Sequence, residues 1–161
     1  LEPISCVELG SCVGISASYQ ASALNINGKG KLVTLEGSPK IANIAKETFA
    51  HTGIHNASVI TGPFYQTLQG VLESSKPIDF FFNDGHHNYD AVIRYFNEAV
   101  PYLSNGAVIV FDDISWSSGM RKAWTKIVED NRVSASINLY NIGITIVKRN
   151  LASKMKFNIP L

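Results

Sequence analysis

The feature that most constrains this chain is an alternation between short apolar runs and stretches with helical periodicity. Five runs rich in β-branched and aromatic residues are typical of buried strands: residues 4–9, 31–36, 57–61, 78–84 and 107–112. The four stretches between them space their apolar residues as helices do: 16–24, 39–52, 63–74 and 89–103. Strand–helix–strand units with short connections predict five parallel strands in an α/β fold of three layers.

The end of the chain departs from this alternation. After a predicted helix at residues 120–130, two strand-like segments, 134–140 and 142–148, are separated by almost nothing. Strands that close together pair antiparallel, because a parallel pair needs a long crossover. We therefore expect the five parallel strands to be followed by a C-terminal antiparallel strand pair. The mildly basic residues 149–161 are expected to pack over a sheet edge or to extend from it.

The stretch 39–52 carries the clearest helix signals. Ser38 followed by Pro39 is typical of an N-cap with proline at the first helical position, and Gly53 is typical of a helix end. The residues predicted to form its buried face, from their helical spacing, are Ile41, Ile44, Ala45 and Phe49.

Size and charge exclude several classes of protein. The chain of 161 residues fits a single domain, and since it opens with Leu1 rather than Met we expect residues to precede it. Its 14 Lys and Arg against 13 Asp and Glu argue against a general nucleic-acid or membrane-surface binder, and its apolar runs are too short to span a membrane. Cys6 and Cys12 cannot form a disulfide framework, so we expect a reduced, cytoplasmic protein.

Acidic residues collect at the predicted carboxyl ends of the strands, where open parallel sheets bind their ligands. The five at such positions are Glu8, Glu36, Asp84, Asp112 and Asp113. Some of them can instead cap the helices that follow. A binding cleft accounts better for all five together.

The sharpest motif is the turn between the first strand and the first helix, with Gly10 and Gly14. A dinucleotide-binding turn has a further glycine where this chain has Cys12, so a pyrophosphate-bearing ligand is disfavoured. Glu36, at the end of the second strand, suits the two hydroxyls of a ribose, and Glu8 is expected to face a cationic amino group. An adenosine, an amino group and a carboxylate on one ligand describe S-adenosylmethionine.

A second group of polar residues follows the fourth and fifth strands. Asp84 with the pair Asp112 and Asp113 can hold a hard divalent cation such as magnesium or calcium. His87 can act as a general base near neutral pH. The alternatives are a surface turn with one solvated histidine ring and a helix cap with a solvated neighbour.

Together these blocks resemble the class I S-adenosylmethionine-dependent methyltransferases, with their Rossmann-like sheet. They are most similar to the bacterial O-methyltransferase-like group related to catechol and caffeoyl-CoA O-methyltransferases. The resemblance runs over about residues 7–147. It implies cofactor contacts from Glu8 and Asp84, from the methionine-side residues Gly10, Ser11, Gly14 and Ser16, from the ribose-side residues Glu36 and Gly37, and from Gly62 and Phe64 near the adenine.

The resemblance also bears on catalysis and metal binding. Asp84 and Asp112 match metal ligands of the family, but Asp113 stands where those enzymes have Asn. His87 takes the position of the catalytic lysine of catechol-type enzymes, so it is the expected base, with Asp84 as the second catalytic residue.

The expected function is methyl transfer from S-adenosylmethionine to an oxygen of a small-molecule acceptor, with magnesium or calcium as an optional aid. No nucleic acid or membrane partner is expected, and a homodimer is one expected assembly. Two alternatives stay open: a non-catalytic cofactor- or partner-binding domain, and an NAD-dependent oxidoreductase. Tyr95 and Trp124 are expected in the core, and Trp116 is expected either to wall the acceptor pocket or to cover the sheet rim.

Overall fold

A computed structural model of the chain describes residues 1–148 and 154–159. The chain forms two compact units, Leu1–Ile78 and Asp79–Leu161.

The first unit alternates strands and helices as predicted. Its elements are β1 (Ser5–Leu9), α1 (Ile15–Ile26), β2 (Lys31–Glu36), α2 (Pro39–Thr52), β3 (Ala57–Thr61) and α3 (Phe64–Ser75). The strands lie in the order β3-β2-β1 and both pairs are parallel. Leu9 pairs with Leu35, and Glu36 pairs with Thr61. The carboxyl ends of the three strands therefore meet at one edge, where ligand-binding turns belong.

Helix α2 begins and ends where predicted, but it buries a different face. The Ser38 side chain accepts from the Ile41 amide, and Gly53 ends the helix in the left-handed conformation at φ 67°. The predicted face was wrong in part, because Ile41 is 36% exposed and Ile44 is 45% exposed. The residues that this helix buries are Ala42, Ala45 and Phe49.

One buried residue of this helix packs against the glycine turn. Gly14 has φ +87°, and a Cβ there would lie 3.1 Å from the Ala45 Cα and 3.2 Å from its Cβ. A side chain at position 14 would therefore require Ala45 to shift, and the left-handed φ also favours glycine there. Bulky Ile44 is left to the solvent side.

The second unit begins within β4 (Ile78–Asn83). It continues through α4 (Tyr89–Ala99), a 3₁₀ turn (Val100–Tyr102), β5 (Leu103–Phe111), α5 (Ser118–Glu129), β6 (Val133–Leu139), β7 (Ile142–Val147) and β8 (Met155–Asn158). Its strands lie in the order β4-β5-β7-β6-β8. The predicted antiparallel pair is confirmed, since β6 pairs with β7 and β7 pairs with β5, both antiparallel.

Two boundaries in this unit differ from the prediction by four residues. Helix α4 was expected to reach residue 103, but it ends at Ala99, because Pro101 has no N–H to continue the helix. Strand β5 accordingly begins at Leu103 rather than at residue 107. The short strand β8, which pairs parallel with β6, lies within the tail that was expected only to cover or leave the sheet edge. Residues 149–153, 160 and 161 of that tail lie outside the described residues.

The predicted core aromatics are confirmed. Tyr95 and Trp124 are buried, and Cys6 is buried as a small apolar residue. Trp124 packs on the sheet so closely that a Cβ at Gly143 would lie 2.6 Å from its ring. Among the described residues, every helix is too short or too polar to cross a membrane.

Candidate functional site

The first unit carries the glycine turn that links β1 to α1. Gly10 has φ 94° and Cys12 has φ 45°, so the chain reverses through left-handed conformations. The amides of Gly10 and Ser11 both donate to the Leu35 carbonyl oxygen, at 3.0 and 3.1 Å. The turn is thus fastened to β2 by its backbone, and it leaves the side chains of Cys12 and Val13 exposed.

Glu8 was expected to face the ligand, but its carboxylate is fully buried behind the turn. Ser16 Oγ and Gln20 Nε2 donate to Glu8 Oε1 at 2.6 and 2.7 Å, and Thr34 Oγ1 donates to Oε2 at 2.5 Å. Burial raises the pKa of the Glu8 carboxyl, because desolvation outweighs these three hydrogen bonds. In this arrangement the Glu8 carboxylate links parts of α1 and β2.

Ser11 is also turned inward. Its hydroxyl lies 2.6 Å from Thr34 Oγ1, and both residues are buried. Thr34 is not among the predicted site residues, although the sequence carries a signal for it. Thr34 is a polar residue inside an otherwise apolar strand, and the β1–β2 register places it opposite Glu8. Two buried polar residues in adjacent strands predict a hydrogen bond between them.

Glu36 lies half-buried at the end of β2, close to the glycine turn. Its Oε2 accepts from the Cys12 amide at 3.1 Å, and its Oε1 accepts from the Ser38 amide at 2.8 Å. A carboxylate offers about four acceptor positions. Two amide donors therefore fix its orientation and leave each oxygen able to accept a further hydrogen bond.

The remaining predicted cofactor residues of this unit are Gly37, Gly62 and Phe64. Gly37 follows it and is exposed. The Gly62 amide donates to the Glu36 carbonyl oxygen at 2.9 Å, and a Cβ at Gly62 would lie 2.9 Å from Thr67 Cγ2. Phe64, expected near the adenine, is buried at the start of α3. Strand ends β1, β2 and β3 thus meet around Glu36.

The second unit brings His87 between two acids. Its Nε2 lies 3.8 Å from Asp84 Oδ1 and its Nδ1 lies 3.7 Å from Asp113 Oδ2. These three side chains are 28–32% exposed. The Asp112 amide donates to the Asn83 carbonyl oxygen at 3.1 Å, which ties the ends of β5 and β4 together. His87 is therefore a partly exposed imidazole with a carboxylate oxygen within 4 Å of each ring nitrogen.

The predicted metal ligands Asp84, Asp112 and Asp113 do not assemble into a ligand set. Within residues 1–148 and 154–159, no group of three or more His, Cys, Asp or Glu side chains is arranged to hold a metal ion. Asp113 has φ 54° and directs its carboxylate to His87, while Asp112 Oδ1 accepts from the Asp113 amide at 2.8 Å. This arrangement therefore does not fit the predicted cation.

The neighbouring histidine has a different environment. His86 Nδ1 lies 2.5 Å from the Tyr95 hydroxyl, and its ring stacks on that of Tyr95 with centroids 5.9 Å apart. The Arg94 Nη2 donates to the same hydroxyl at 3.2 Å. His86 is thus directed towards α4, whereas His87 faces the acids.

An exposed aromatic residue follows the acidic pair. Trp116 is 71% exposed, and its amide donates to the Asp113 carbonyl oxygen at 3.0 Å. Its loop is tied to the β6–β7 turn, since the Ile114 amide donates to the Asn141 carbonyl oxygen at 2.9 Å and Ser115 Oγ bonds to the Asn141 side chain. The Trp116 ring is thus largely open to solvent, and both of its expected roles stay predictions.

Comparisons with known proteins show which proteins this chain is similar to in sequence and fold. Residues 7–114 match a family described as a methyltransferase domain. A catechol O-methyltransferase of Niastella koreensis is 33% identical over 110 residues, 67% of this chain and 48% of the relative. One from Mycobacterium tuberculosis is 29% identical over 71% of this chain and 50% of the relative. The chain thus spans about half the length of these two enzymes.

Another relative is matched along nearly all of this chain. An uncharacterised protein of Acanthamoeba polyphaga mimivirus is 34% identical over 99% of this chain and 75% of its own length.

Solved structures share the fold. An O-methyltransferase from Bacillus cereus in complex with S-adenosylhomocysteine is 25% identical, with a TM-score of 0.73 over 92% of this chain and 75% of that one. An O-methyltransferase of tomaymycin synthesis from Streptomyces achromogenes, solved with S-adenosylmethionine, is 22% identical, with a TM-score of 0.77 over 92% and 74%. The predicted Rossmann-like α/β class, with its antiparallel C-terminal strands, is confirmed.

Proposed function

The chain belongs to the methyltransferase domain family, and on that premise we propose that it transfers a methyl group from S-adenosylmethionine to an oxygen of a small-molecule acceptor. Catechol is the first acceptor to test, since two relatives are catechol O-methyltransferases. The acceptor hydroxyl attacks the methyl carbon, the carbon–sulfur bond breaks, and its electron pair stays on sulfur. The hydroxyl proton must go to a base.

Glu36 is the residue that best supports binding of S-adenosylmethionine. Its two oxygens are oriented by backbone amides and keep acceptor capacity, which suits the vicinal hydroxyls of a ribose. Gly10, Gly37 and Gly62 each follow one of the three strand ends, and Ser16 lies in the first turn of α1. All four are partly or well exposed. Glu8, Ser11, Gly14 and Phe64 are buried, so we assign them to shaping this site. The cofactor contact expected from Asp84 stays a prediction.

His87 is the proposed base. A neutral imidazole can accept the acceptor's proton near neutral pH, and the resulting cation would lie between Asp84 and Asp113. The carboxylates stabilise the positive charge that develops on the ring, since both lie within 4 Å of it. The exposed Trp116 ring is proposed to wall the acceptor pocket.

The geometry does not support a step through a divalent cation. The acidic side chains are present, but Asp84 and Asp113 each lie within 4 Å of His87, and no group of three metal-ligating side chains forms among the described residues. We therefore expect no further stabilisation when magnesium or calcium is added to the protein bound to S-adenosylhomocysteine. A magnesium-dependent rise in melting temperature that Asp112→Asn abolishes would show instead that the carboxylates regroup around an ion.

Thermal unfolding with S-adenosylhomocysteine, S-adenosylmethionine and NAD tests the cofactor. A ligand at about 100 times its Kd stabilises by about 2.7 kcal/mol, which for a chain of this size raises the melting temperature by roughly 5–10 °C. We expect a rise with the first two ligands and none with NAD. A rise with NAD alone would establish an oxidoreductase. Cofactor binding without methylation across a broad panel of acceptors would favour a non-catalytic, partner-binding domain.

Three further expectations belong to this proposal. Residues 1–161 are proposed to serve as a single cofactor-binding domain, and a homodimer stays a prediction. A cytoplasmic location is supported by Cys6 and Cys12, both of which are free thiols.

A further inference from the structure

The first unit contains a chain of buried hydroxyls that no step of the proposed reaction uses. It runs from Ser11, in the glycine turn, through Thr34, inside β2, to the carboxylate of Glu8, inside β1. All three residues are buried, so water cannot readily replace the partner of any of them. A buried network in which every group is hydrogen-bonded fixes the local geometry. One with an unpaired polar group lowers the stability of the protein, because desolvating that group costs free energy.

The number of hydroxyl hydrogens determines which group donates in each of these two hydrogen bonds. A threonine hydroxyl has one hydrogen to donate, and Thr34 donates it to Glu8 Oε2. Ser11 must therefore be the donor in its 2.6 Å hydrogen bond to Thr34 Oγ1. Of Ser11, Thr34 and Glu8, only Thr34 both donates and accepts a hydrogen bond in this network. Removing its hydroxyl therefore breaks both hydrogen bonds.

The same stretch of β2 also holds the backbone of the turn. The residue after Thr34, Leu35, accepts from the amides of Gly10 and Ser11 through its carbonyl oxygen. The next residue, Glu36, accepts from the Cys12 amide. Three consecutive residues of β2 thus fasten three consecutive residues of the turn, and Thr34 is the one that acts from inside the sheet.

We propose that Thr34 is a positioning residue for the cofactor: its buried hydroxyl, bonded to Ser11 and Glu8, sets the shape in which the glycine turn meets S-adenosylmethionine. This rests on the proposed function. Thr34 itself touches no ligand and acts through Ser11 and the turn.

The test compares Thr34→Val with Thr34→Ser and with Thr145→Val. Valine has the shape of threonine without its hydroxyl, whereas serine keeps the hydroxyl. Thr145 is a matched control, because it is also a fully buried strand threonine, and its hydroxyl has no hydrogen-bond partner among the described residues. Calorimetric titration with S-adenosylhomocysteine is made at a temperature where circular dichroism shows every variant folded.

We expect Thr34→Val to raise the Kd by about tenfold or more, as the loss of two buried hydrogen bonds implies. The Kd of Thr34→Ser should stay within about threefold of the wild-type value, and the Kd of Thr145→Val should equal the wild-type value. With an acceptor in hand, the KM for S-adenosylmethionine should rise more than kcat falls. A merely structural role would lower the active fraction and leave the KM unchanged.

Amide hydrogen exchange of a peptide covering residues 7–16 gives a readout without ligand. Thr34→Val should speed exchange of the turn, and Thr145→Val should not. Wild-type protein that binds no S-adenosylhomocysteine would overturn the proposed function. Wild-type protein that binds it, with Thr34→Val binding equally well and exchanging at the same rate, would overturn the role of Thr34 alone.

Discussion

Two acidic sites in this chain are held in opposite ways. In the first unit, Glu8 is fully buried and three donors lie 2.5–2.7 Å from its oxygens. In the second unit, Asp84 and Asp113 are about 30% exposed and approach His87 only to 3.8 and 3.7 Å. The latter distances are longer than hydrogen bonds.

This difference indicates that the Glu8 site is preorganised, whereas the His87 site can adapt. The first site has its geometry fixed before a ligand arrives, so disturbing it should appear in binding and stability. The second contributes little to stability, since half-exposed ion pairs are worth about 0–1 kcal/mol. Disturbing it should appear in turnover, where the position of a proton acceptor matters.

The largest expected effect is that of His87→Ala. Removing a general base lowers kcat by about 10²–10⁴-fold. The Kd for S-adenosylhomocysteine should stay unchanged, because His87 belongs to the second site. Steady-state assays with catechol and calorimetry measure the two quantities. His86→Ala is the control, since its ring is bonded to Tyr95 instead. Equal losses in both variants would contradict the assignment of His87.

Next in size is the effect of Glu36→Ala, which removes the half-buried carboxylate beside the glycine turn of the first unit. A hydrogen bond to a charged group contributes about 1.5–3 kcal/mol, so we expect the Kd for S-adenosylhomocysteine to rise roughly 10- to 100-fold. The fold should persist by circular dichroism. Glu47→Ala, an exposed acid on α2, provides the matched control. Affinity that survives Glu36→Ala would remove the ribose role.

Glu8 should leave a signature in the pH dependence of stability. Its pKa is raised in the folded protein, so the folded state holds this proton to higher pH than the unfolded chain does. Its contribution to stability is therefore full below the ordinary pKa of 4.5 and falls as the pH rises through the folded pKa. Glu8→Gln removes that slope, because an amide does not titrate. Melting temperatures between about pH 4 and pH 8 would show it. Parallel curves for the two proteins would refute the desolvation of Glu8.

The smallest effect, and the opposite sign, belongs to Asp130 in the second unit. Hydrogen bonds from Arg132, at 2.7 Å to each oxygen, lower the pKa of Asp130. Its contribution is present above the ordinary pKa of 3.8 and is lost as the pH falls through the folded pKa. Asp130→Asn should cost less than about 1 kcal/mol at neutral pH, because the pair is partly exposed. The difference from wild type should vanish in acid. A difference that persists in acid would point to packing instead.

The elements of the fold were predictable because their signals are local. Strand spacing, the Ser38 cap and the Gly53 stop depend on residues next to one another in the chain, and all were confirmed. The shortening of α4 also has a local signal, in Pro101. The buried face of α2 has none, because Ile44 and Ala45 are both suited to a helix interior. Tertiary contacts decide between them, and Ala45 is the one that packs against Gly14.

The acids show the same division. The sequence alone determined that carboxylates gather after the strands of an α/β fold, and that Gly10 and Gly14 make a turn without the dinucleotide glycine. Tertiary structure alone decided that Glu8 is enclosed by Thr34, Ser16 and Gln20, and that Asp113 turns to His87 rather than joining Asp84 and Asp112 around an ion. The physical reason is that residue type sets which hydrogen bonds a group can make. Burial and the direction of the backbone set which partners it has.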